Sequence, residues 1–581
     1  MILRNLTIKN FRGIKSLDWH VPSKFICLIG PCDSSKSTIL KAIEYALYPT
    51  WGLNISDTDF YNQNIDETIE IIATIGEIPS SLITENKFGH YLRGWNKQSG
   101  LVDEPLEGYH AVLSIKLEVD KTLEPKWTVI NNRIPEGVVI SASDREALGA
   151  SFLGIYADRD LSWSKGSSLL RLTGQLEDAG NVLSSARRTI RQDVARNIAA
   201  SWNDVCDNVE NVAKQYGLAP RNDLNPGFDI RGNIHATGHL ALHDGDVPAR
   251  MYGLGSRRIL SLSIQQQSTI NGAILLIDEI EIGLEPFRLR HLIRALRQST
   301  KEVDSLEEGT HNAGQAIITT HSSVTLVECH ADELFVTQAS NGEIKIKQVN
   351  IALQNVVRSS PEALLSKKVI VSEGKTEIGV SRGLDIHWSS IGNMPFAHLG
   401  ITTALGEGSN SAKRAISIQK LGYEVLLLID SDVEPAEIAD ARALNIPIIE
   451  WEDSFSVEQR IFNDVTWEQV KKITRLGLEN VVDMNAELNA IASKLASPQS
   501  PITLTPNLDD WLNTYNEVRI RQALGDVSKN RGWFKRVDFG ETLGIYLAQE
   551  LDNIPDSPLK TKINQVKNWC YGNYSPSSPA C

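Results

Sequence analysis

Short apolar runs dominate the first part of the chain and predict strands on either side of one helix. Ile2–Lys9 alternates apolar and polar residues, Phe25–Ile29 is continuously apolar, and Lys36–Tyr45 has helical spacing. Further strands are predicted where alternation returns, at Ile69–Ile75, Ala111–Val119 and Trp127–Ile130. This pattern predicts an α/β fold that carries a β-rich subdomain.

From about residue 168 to residue 216 the pattern becomes helical. Apolar residues recur there at helical intervals, as at Leu176, Val182, Ile190, Val194, Ile198 and Trp202. The segment is predicted to be a helical insert in the first domain, either packed as core or used as a dimerisation arm. Its basic residues could hold phosphates or lie on a solvated face: Arg187, Arg188, Arg191 and Arg196.

A second α/β pattern follows the first. The first resumes at Gly253 and ends near residue 355, and the second has apolar runs at Val369–Val371 and Val425–Ile429. A further strand is predicted near Pro395–Leu399, and a helix at Ser411–Leu421. The expected organisation is a first domain over residues 1–355, a second over 366–465, and a helical C-terminal extension over 466–581.

Composition places the chain among ordinary globular proteins. Its 581 residues exceed what one core accommodates, and 41% apolar with 22% charged residues is typical of folded domains. No apolar run reaches the length of a membrane span, and the amphipathic N-terminus is unlike a signal peptide, so a cytoplasmic protein without membrane contact is expected. The net charge of −14 does not favour nucleic-acid binding overall, although a local basic groove is compatible with it. The six cysteines form no CxxC pair, which argues against zinc and against a disulfide framework.

A degenerate phosphate-binding loop lies between the predicted strand Phe25–Ile29 and the helix after it. It reads Gly30-Pro-Cys-Asp-Ser-Ser35-Lys36-Ser37-Thr38. Backbone N–H groups at the helix N-terminus would cradle phosphates, Lys36 would neutralise their charge, and the Ser37 hydroxyl would bind Mg²⁺. Ser35 stands where such loops carry glycine, which predicts weaker ATP binding or slower turnover.

Two later strands carry the other residues that a nucleotide site requires. The apolar strand Ala273–Ile277 ends in Asp278 and Glu279, which would hold the Mg²⁺ shell and orient the attacking water. The strand Ala316–Thr320 ends in His321, which is suited to sensing the γ-phosphate. Together with the loop, these strands predict an ATP site.

The order of these segments resembles the ABC ATPases of the SMC/RecF/OLD group. Gly253, Gly255 and Ser256 open a predicted helix like a divergent ABC signature, and Gly283–Pro286 follows at the position of a D-loop. The opening Ile8–Gly13 is also similar to the usual start of that group. In that group the signature contacts the nucleotide held by a partner subunit. The resemblance therefore implies ATP with Mg²⁺ and a homodimer or a higher homo-oligomer.

Two acidic clusters follow the apolar runs of the second domain. Glu373 and Glu377 come after the first run, and Asp430 and Asp432 come after the second. The carboxyl ends of parallel strands meet at one edge of a sheet, so these carboxylates are expected to gather there. They would repel one another unless a cation lay between them, and hard oxygen ligands suit Mg²⁺ or Mn²⁺.

This acidic arrangement resembles the Toprim domain of topoisomerases, primases and OLD-family (overcoming lysogenization defect) nucleases. An ATPase in front of it points to the OLD family, which includes Gabija-type and retron-associated anti-phage effectors. The resemblance implies metal roles for Glu373, Glu377, Asp430 and Asp432, two divalent ions, and endonuclease cleavage of DNA. It also implies bacterial anti-phage defence, with ATP as a regulator and a defence-system protein or RNA as a candidate partner.

The same resemblance suggests two further site residues. Glu458 follows the predicted strand Ile446–Glu450, where OLD-like nucleases carry another acidic metal ligand. Its rivals are Glu450, Glu452 and Asp453. Lys535, with Lys529 as its rival, would be the lysine that stabilises negative charge on the phosphate in the transition state.

Other readings of the same residues stay open. One is an SMC/RecF-like DNA-binding ATPase without nuclease activity, whose acidic domain is a structural or binding module. Another is a Toprim ribonuclease that acts on RNA such as tRNA, because RNA and DNA present the same phosphate to the metals. The residues also leave open whether ATP activates or restrains cleavage.

Overall fold

The structure is a computed structural model, and the chain divides into two compact units. The units are Met1–Val349 and Asn350–Cys581. The described residues are 1–50, 52–154, 158–163, 167–173, 200–218, 220, 222–229, 239–268, 272–300, 314–431, 437–495, 504–505 and 507–572. The boundary falls close to the predicted end of the first domain at residue 355.

A large mixed sheet forms the framework of the first unit. Within the described residues it has 14 strands, which are Ile2–Phe11, Ile14–His20, Phe25–Ile29, Ile69–Gly76, Arg93–Asn96, Gly100–Val102, His110–Val119, Pro125–Ile130, Val138–Val139, Ala150–Leu153, Ile274–Ile277, Gln315–Thr319, Leu334–Ser340 and Glu343–Gln348. A smaller sheet contains Leu224–Asp229, His239–Asp244 and Val247–Pro248. The predicted β-rich subdomain is the antiparallel part of the large sheet, where Ile2–Phe11 pairs with Ile69–Gly76.

Five neighbouring strands of the large sheet are parallel. Their order is Ala150–Leu153, Ile274–Ile277, Gln315–Thr319, Phe25–Ile29 and Leu334–Ser340. Because the strands are parallel, the loops that follow them emerge at the same edge of the sheet. The chain segments predicted to form the nucleotide site are three of these loops.

Helices of the first unit flank the sheet. They are Lys36–Ala46, Ala142–Glu146, Ser168–Thr173, Ala200–Gln215, Leu254–Ser268, Pro286–Ser299 and Ser323–Glu328. In the predicted insert, Trp202 is buried and its ring stacks on Trp163 at 5.2 Å between centroids, so this part packs as core. Residues 174–199 lie outside the described part of the chain, including Leu176, Val182, Ile190, Val194, Ile198, Arg187, Arg188, Arg191 and Arg196.

The second unit contains a parallel sheet with four strands in the part of the chain that is described. Its order is Ile401–Leu405, Lys368–Ser372, Glu424–Ile429 and Ile448–Glu450. The predicted strand near Pro395–Leu399 is wrong. The N–H groups of His398 and Leu399 both donate to the Pro395 carbonyl in a turn, and the strand begins only after Gly400, whose φ of 68° closes that turn.

Helices surround this sheet and continue to the end of the described chain. They are Gln354–Ser359, Lys375–Ser390, Ser411–Leu421, Ile438–Ala443, Val457–Asp464, Trp467–Glu479, Met484–Leu495, Leu508–Trp511, Glu517–Arg531, Val537–Gln549 and Pro558–Tyr571. The helix predicted at Ser411–Leu421 is confirmed.

The C-terminal helices share one core with the sheet and are not a separate domain. Ile370 of the central strand belongs to the same apolar cluster as Leu543 and Ile563. The helix Val537–Gln549 lies so close to Lys375–Ser390 that a Cβ atom at Gly383 would be 2.2 Å from the Glu541 carbonyl oxygen. The predicted extension is therefore packed directly on the helix that carries Glu377.

Two expectations from composition concern membrane contact and thiols. Among the described helices, none is both long and apolar enough to cross a bilayer. In the described residues no disulfide joins Cys27, Cys32, Cys206, Cys329 or Cys570, and all of them except Cys32 are buried. Cys570 thus packs inside the second unit, whereas Cys581 lies outside the described residues.

Candidate functional site

The predicted phosphate loop curves tightly around the Lys36 side chain. The Lys36 ammonium donates to the carbonyls of Gly30 and Pro31 at 3.0 and 2.9 Å and to Ser34 Oγ at 3.2 Å. Burial lowers the pKa of this ammonium, while nearby groups, among them Asp278, act in the opposite direction. A cation is therefore held within the curve of the loop, where phosphates would lie.

Ser35 adopts the backbone conformation that glycine normally supplies. Its φ of 66° and ψ of 19° place it in the left-handed region, immediately before the helix Lys36–Ala46. An L-residue in this region has its Cβ close to the following carbonyl oxygen, at a cost of roughly 1–2 kcal/mol. Ser35, which stands where such loops usually carry glycine, is thus a strained position in the loop.

The residues predicted to bind Mg²⁺ in the nucleotide site lie close together. Ser37 Oγ donates to Asp278 Oδ1 at 2.8 Å, and Thr319 Oγ1 donates to the same oxygen at 2.7 Å. A serine hydroxyl beside an aspartate carboxylate is a donor set that fits Mg²⁺. Thr38 lies in the same first turn of the helix and is half-buried.

Thr319 was not predicted as a site residue, although it is the last residue of the strand before the predicted sensor histidine. Its hydroxyl accepts from the Glu279 N–H at 2.8 Å and so couples the two neighbouring strand ends. Glu279 itself has a positive φ of 46°, which turns the chain sharply after Asp278.

Arg258 is a second residue that sequence reasoning missed. It is 2% exposed, and its guanidinium donates to the carbonyls of Asp278, Glu279 and Gly154 at 2.7, 3.0 and 2.7 Å. These bonds hold the backbone of the acidic pair in place from the helix Leu254–Ser268. Arg258 directly follows the signature-like segment, but nothing in the spacing indicated these partners.

His321 lies at the end of the strand next to the loop strand. Its backbone N–H and the Thr320 hydroxyl both donate to the Glu281 carboxylate at 2.7 Å. Burial lowers the pKa of the His321 imidazole, and the charge of Lys36 lowers it further. The ring is therefore electrostatically coupled to the phosphate loop and favours the neutral form.

The signature-like segment packs against the D-loop-like segment. A Cβ atom at Gly255 would be 2.1 Å from the Gly283 carbonyl oxygen, and Gly283 has a φ of 74°. Arg288 donates to Ser256 Oγ at 3.4 Å. Gly253 precedes the helix and is exposed. The two glycines thus permit a backbone contact that side chains would prevent.

Glu373 and Asp430 follow adjacent parallel strands of the second unit and are linked directly. The Asp430 N–H donates to Glu373 Oε2 at 2.8 Å. The Val457 N–H in turn donates to Asp430 Oδ1 at 2.9 Å. The edge of the sheet and the start of the helix Val457–Asp464 therefore meet at these two carboxylates.

Glu377 and Glu458 are buried beside them. Glu377 Oε2 accepts from the Gly374 N–H at 2.9 Å, and Glu458 accepts from Thr376 Oγ1 and Ser456 Oγ, both at 3.1 Å. Thr376 was not predicted, and it ties the two acidic helices together. Only 3% of Glu377 and 4% of Glu458 is exposed, so both carboxyl groups are shielded from water.

The four carboxyl groups interact electrostatically. Burial raises the pKa of Glu377, and Glu458 and then Glu373 raise it further. Burial likewise raises the pKa of Asp430, and Glu377, Glu458 and Glu373 add to this. Across the described chain, no three acidic, histidine or cysteine side chains are already arranged as metal ligands. The donor chemistry fits a hard divalent cation, but binding one requires carboxylate oxygens to turn from their present partners.

The rival acids of the second unit have other partners. Glu450 pairs with Arg442 at 3.3 Å, and Glu452 pairs with Lys562 at 2.7 Å. Asp453 pairs with the buried Arg460 at 2.6 Å. Glu458 is therefore the one of these four acids that interacts with Glu377 and Asp430. Asp432 lies outside the described residues.

Ser431 and Arg460 position this edge of the sheet, and neither was predicted. Ser431 Oγ donates to the Glu452 carbonyl at 2.7 Å and accepts from the Phe455 N–H at 2.9 Å. Arg460 donates to the carbonyls of Trp451 and Glu452 at 2.8 and 3.1 Å. Between these anchors, Glu452, Asp453 and Ser454 all have positive φ. The loop is held tightly next to Asp430.

The predicted lysine and its rival lie at different positions in the second unit. Lys535 is exposed, and in the described residues no hydrogen bond or ion pair joins it to the acidic groups. Lys529 is half-buried on the helix Glu517–Arg531, which packs on Gln459 through Gly525. Since residues four apart share a helix face, Lys529 lies on the side that faces the helix of Glu458.

A comparison with protein families gives a match within the first unit. A family model described as "AAA domain, putative AbiEii toxin, Type IV TA system" matches residues 25–328. No match was found among curated proteins.

Two solved structures are similar to part of the chain. One is the Smc head bound to the C-winged helix domain of ScpA, with 14% identity, a TM-score of 0.35, and coverage of 61% of this chain and 99% of that chain. The other is an Smc head domain with an extended coiled coil, bound to the C-terminal domain of ScpA derived from Pyrococcus furiosus. It has 12% identity and a TM-score of 0.35, and the match covers 60% of this chain and 96% of that chain.

Proposed function

Because the chain belongs to the family described as AAA domain, putative AbiEii toxin, Type IV TA system, we propose that its ATPase domain controls a metal-dependent endonuclease carried by the second unit. ATP binding with Mg²⁺ follows from the family. Cleavage of nucleic acid goes beyond what the family implies. It rests on the acidic site at the edge of the four-stranded sheet.

Each residue of the nucleotide site has a role that its geometry supports. Lys36 would neutralise phosphate charge from within the loop, and Ser37 with Asp278 would hold Mg²⁺. Glu279 would orient the attacking water. His321, kept neutral beside Lys36, would accept or donate a hydrogen bond at the γ-phosphate and so report its presence.

The observation that carries the nuclease proposal is the convergence of four carboxyl groups. Glu373, Glu377, Asp430 and Glu458 come from two strand ends and two helix starts, and burial makes their mutual repulsion strong. Mg²⁺ or Mn²⁺ would relieve this repulsion, with Asp432 as a further candidate ligand. Metal ions held there would polarise a phosphodiester and stabilise its attacking and leaving oxygens.

ATP serves as a regulator in this proposal, because phosphodiester hydrolysis itself requires no ATP. We take DNA as the substrate and a homodimer as the working assembly, since the signature-like segment implies a partner subunit. The family description names a putative toxin of a type IV toxin–antitoxin system, which supports a role in bacterial anti-phage defence.

A plasmid assay with matched variants tests the proposal. Full-length protein is incubated with supercoiled plasmid and Mg²⁺ or Mn²⁺, with and without ATP. The wild type is expected to nick or linearise the plasmid. The rate of cleavage by Asp430→Ala is expected to be lower by at least about 100-fold. Glu450→Ala removes an ion-paired acid next to the same sheet edge and is the control that should retain activity.

The outcomes separate the alternatives. Equal cleavage by wild type and Asp430→Ala would refute the assigned site. ATP-dependent retention of DNA without cleavage would favour a DNA-binding ATPase, and cleavage of tRNA alone would favour a ribonuclease. Circular dichroism of both variants shows whether a lost activity reflects lost folding.

A further inference from the structure

A chain of hydroxyl groups connects the Lys36 ammonium to the strand Leu334–Ser340, which lies beside the strand of the phosphate loop. The ammonium donates to Ser34 Oγ at 3.2 Å, and Ser34 Oγ lies 2.7 Å from Thr337 Oγ1. Thr337 Oγ1 in turn donates to the Ile29 carbonyl at 3.0 Å. Ser34 is 2% exposed and Thr337 is fully buried, so water scarcely competes for these bonds.

The direction of each hydrogen bond in this chain is fixed by its two ends. An ammonium group can only donate, and a carbonyl oxygen can only accept. The single hydrogen of the Thr337 hydroxyl goes to the Ile29 carbonyl. The Ser34 hydroxyl must therefore donate to Thr337 and accept from Lys36. Hydrogen bonds ordered in this way strengthen one another, which makes Ser34 Oγ a good acceptor for the ammonium.

All three N–H bonds of the Lys36 ammonium have partners within the loop. Besides Ser34 Oγ, these partners are the carbonyls of Gly30 and Pro31, at 3.0 and 2.9 Å. An ammonium group has only three donors. A phosphate oxygen that binds Lys36 therefore has to replace one of the three partners.

Ser34 is the partner that can leave at the lowest cost. The Gly30 backbone is packed so closely on the neighbouring strand that a Cβ atom there would lie 2.6 Å from the Thr337 carbonyl oxygen. Turning the carbonyl of Gly30 or Pro31 away would move the backbone of the loop. The Ser34 hydroxyl needs only a rotation about one side-chain bond, and its bond to Lys36 is the longest of the three.

We propose that the Ser34 hydroxyl is an internal ligand of Lys36 that competes with the phosphates of ATP, and that Thr337 holds this ligand in place. A bond that ATP has to break stabilises the protein without nucleotide, so weakening that bond should tighten ATP binding. Thr337 acts on Lys36 through Ser34 and is therefore a positioning residue. This competition rests on the proposed binding of ATP to the first unit and needs no nuclease activity.

Titration of a fluorescent ATP analogue with Mg²⁺ against full-length protein measures the competition. Ser34→Ala removes the internal ligand and is expected to lower the dissociation constant about fivefold. Thr337→Val removes the acceptor that holds the Ser34 hydroxyl and is expected to lower the dissociation constant about twofold. Thr337→Ser keeps a hydroxyl at this position and should bind the analogue like the wild type.

A double variant tests whether Thr337 acts only through Ser34. If it does, Thr337→Val has no further effect on ATP affinity once the Ser34 hydroxyl is absent. The double variant Ser34→Ala, Thr337→Val should therefore bind the analogue as tightly as Ser34→Ala alone. Tighter or weaker binding than in Ser34→Ala would show that Thr337 acts by another route and would overturn its assigned role.

A matched control separates the competition from a general loss of packing. Thr74 and Ser114 form another buried hydroxyl pair in the same sheet, with 2.9 Å between the two oxygens. Thr74→Val should lower the free energy of unfolding in urea without changing ATP affinity. Thr337→Val should also lower this free energy but should bind ATP more tightly, whereas a purely structural defect at the loop would weaken both.

The outcomes distinguish the competition from the proposed function. Binding of the analogue by Ser34→Ala that equals or falls below that of the wild type would overturn the competition while leaving the ATP site in place. Lack of binding by the wild type and by every variant would refute the ATP site and the competition with it. Loss of plasmid cleavage alone, with tighter ATP binding by Ser34→Ala, would refute only the nuclease.

Discussion

Replacing Ser35 by glycine should strengthen ATP binding. The left-handed φ of 66° at this position costs a serine roughly 1–2 kcal/mol. Glycine adopts this conformation freely, although its greater freedom in the unfolded chain offsets about 0.5–1 kcal/mol of the gain in stability. The free energy of unfolding should therefore rise by about 0.5–1 kcal/mol in Ser35→Gly.

The effect on ATP affinity depends on the fraction of molecules in which the loop has the left-handed conformation that binds ATP. If strain drives part of the ensemble out of the left-handed conformation, the apparent dissociation constant rises by the inverse of the competent fraction. Removing about 1 kcal/mol of backbone strain would raise the binding-competent fraction up to about fivefold. Ser35→Gly is therefore expected to bind ATP up to about fivefold more tightly.

A fluorescent ATP analogue, titrated against wild type and two variants, measures this change. Ser35→Ala is the matched control, because it removes the hydroxyl but retains the Cβ atom and thus the backbone strain. It should bind like wild type, and urea denaturation should show no gain in stability. The reasoning is refuted if Ser35→Ala and Ser35→Gly behave alike, or if Ser35→Gly binds more weakly.

Two further predictions concern the packing of the second unit and the thiols. Gly383→Ala should lower the free energy of unfolding, measured in urea, by about 1–3 kcal/mol, because its Cβ would lie 2.2 Å from the Glu541 carbonyl oxygen. Ile386→Ala, at an exposed position of the same helix, is the control and should change this free energy by less than about 0.5 kcal/mol. Equal effects of the two would contradict the close helix contact. In a Cys581→Ser background, Ellman's reagent at pH 8 should label the exposed Cys32 first, because burial raises the pKa of Cys206 and Cys570 to about 12. Labelling of Cys206 or Cys570 as fast as Cys32 would be inconsistent with this structure, and Cys32→Ser serves as the control.

The nucleotide site could be anticipated from sequence because its parts are contiguous motifs. The strand Phe25–Ile29, the loop after it and the helix Lys36–Ala46 follow one another directly, so local pattern and turn chemistry describe them together. The anomaly at Ser35 was visible for the same reason. In the second unit, the closeness of Glu373 and Asp430 also follows from pattern, since the ends of parallel strands meet at one edge, whereas Glu458 was suggested only by a resemblance.

Tertiary packing decided which residues support these sites. Arg258 and Thr319 hold the backbone at Asp278, and Ser431 and Arg460 fasten the loop beside Asp430, through bonds that no spacing in the chain indicates. The misplaced strand at Pro395–Leu399 has a similar origin. An apolar run predicts burial, and Phe396 is indeed buried, but burial alone does not distinguish a turn from a strand.

The positions of Lys529 and Lys535 show most clearly what the sequence alone does not determine. Lys529 lies in the last turn of the helix Glu517–Arg531, whereas Lys535 lies in the loop after that helix. The close contact of Gly525 with Gln459 places the face of Lys529 toward the helix of Glu458. Sequence alone determined which chemical groups the chain carries and at which strand ends they stand. Tertiary structure decided which of them face one another, because that depends on contacts between segments far apart in the chain.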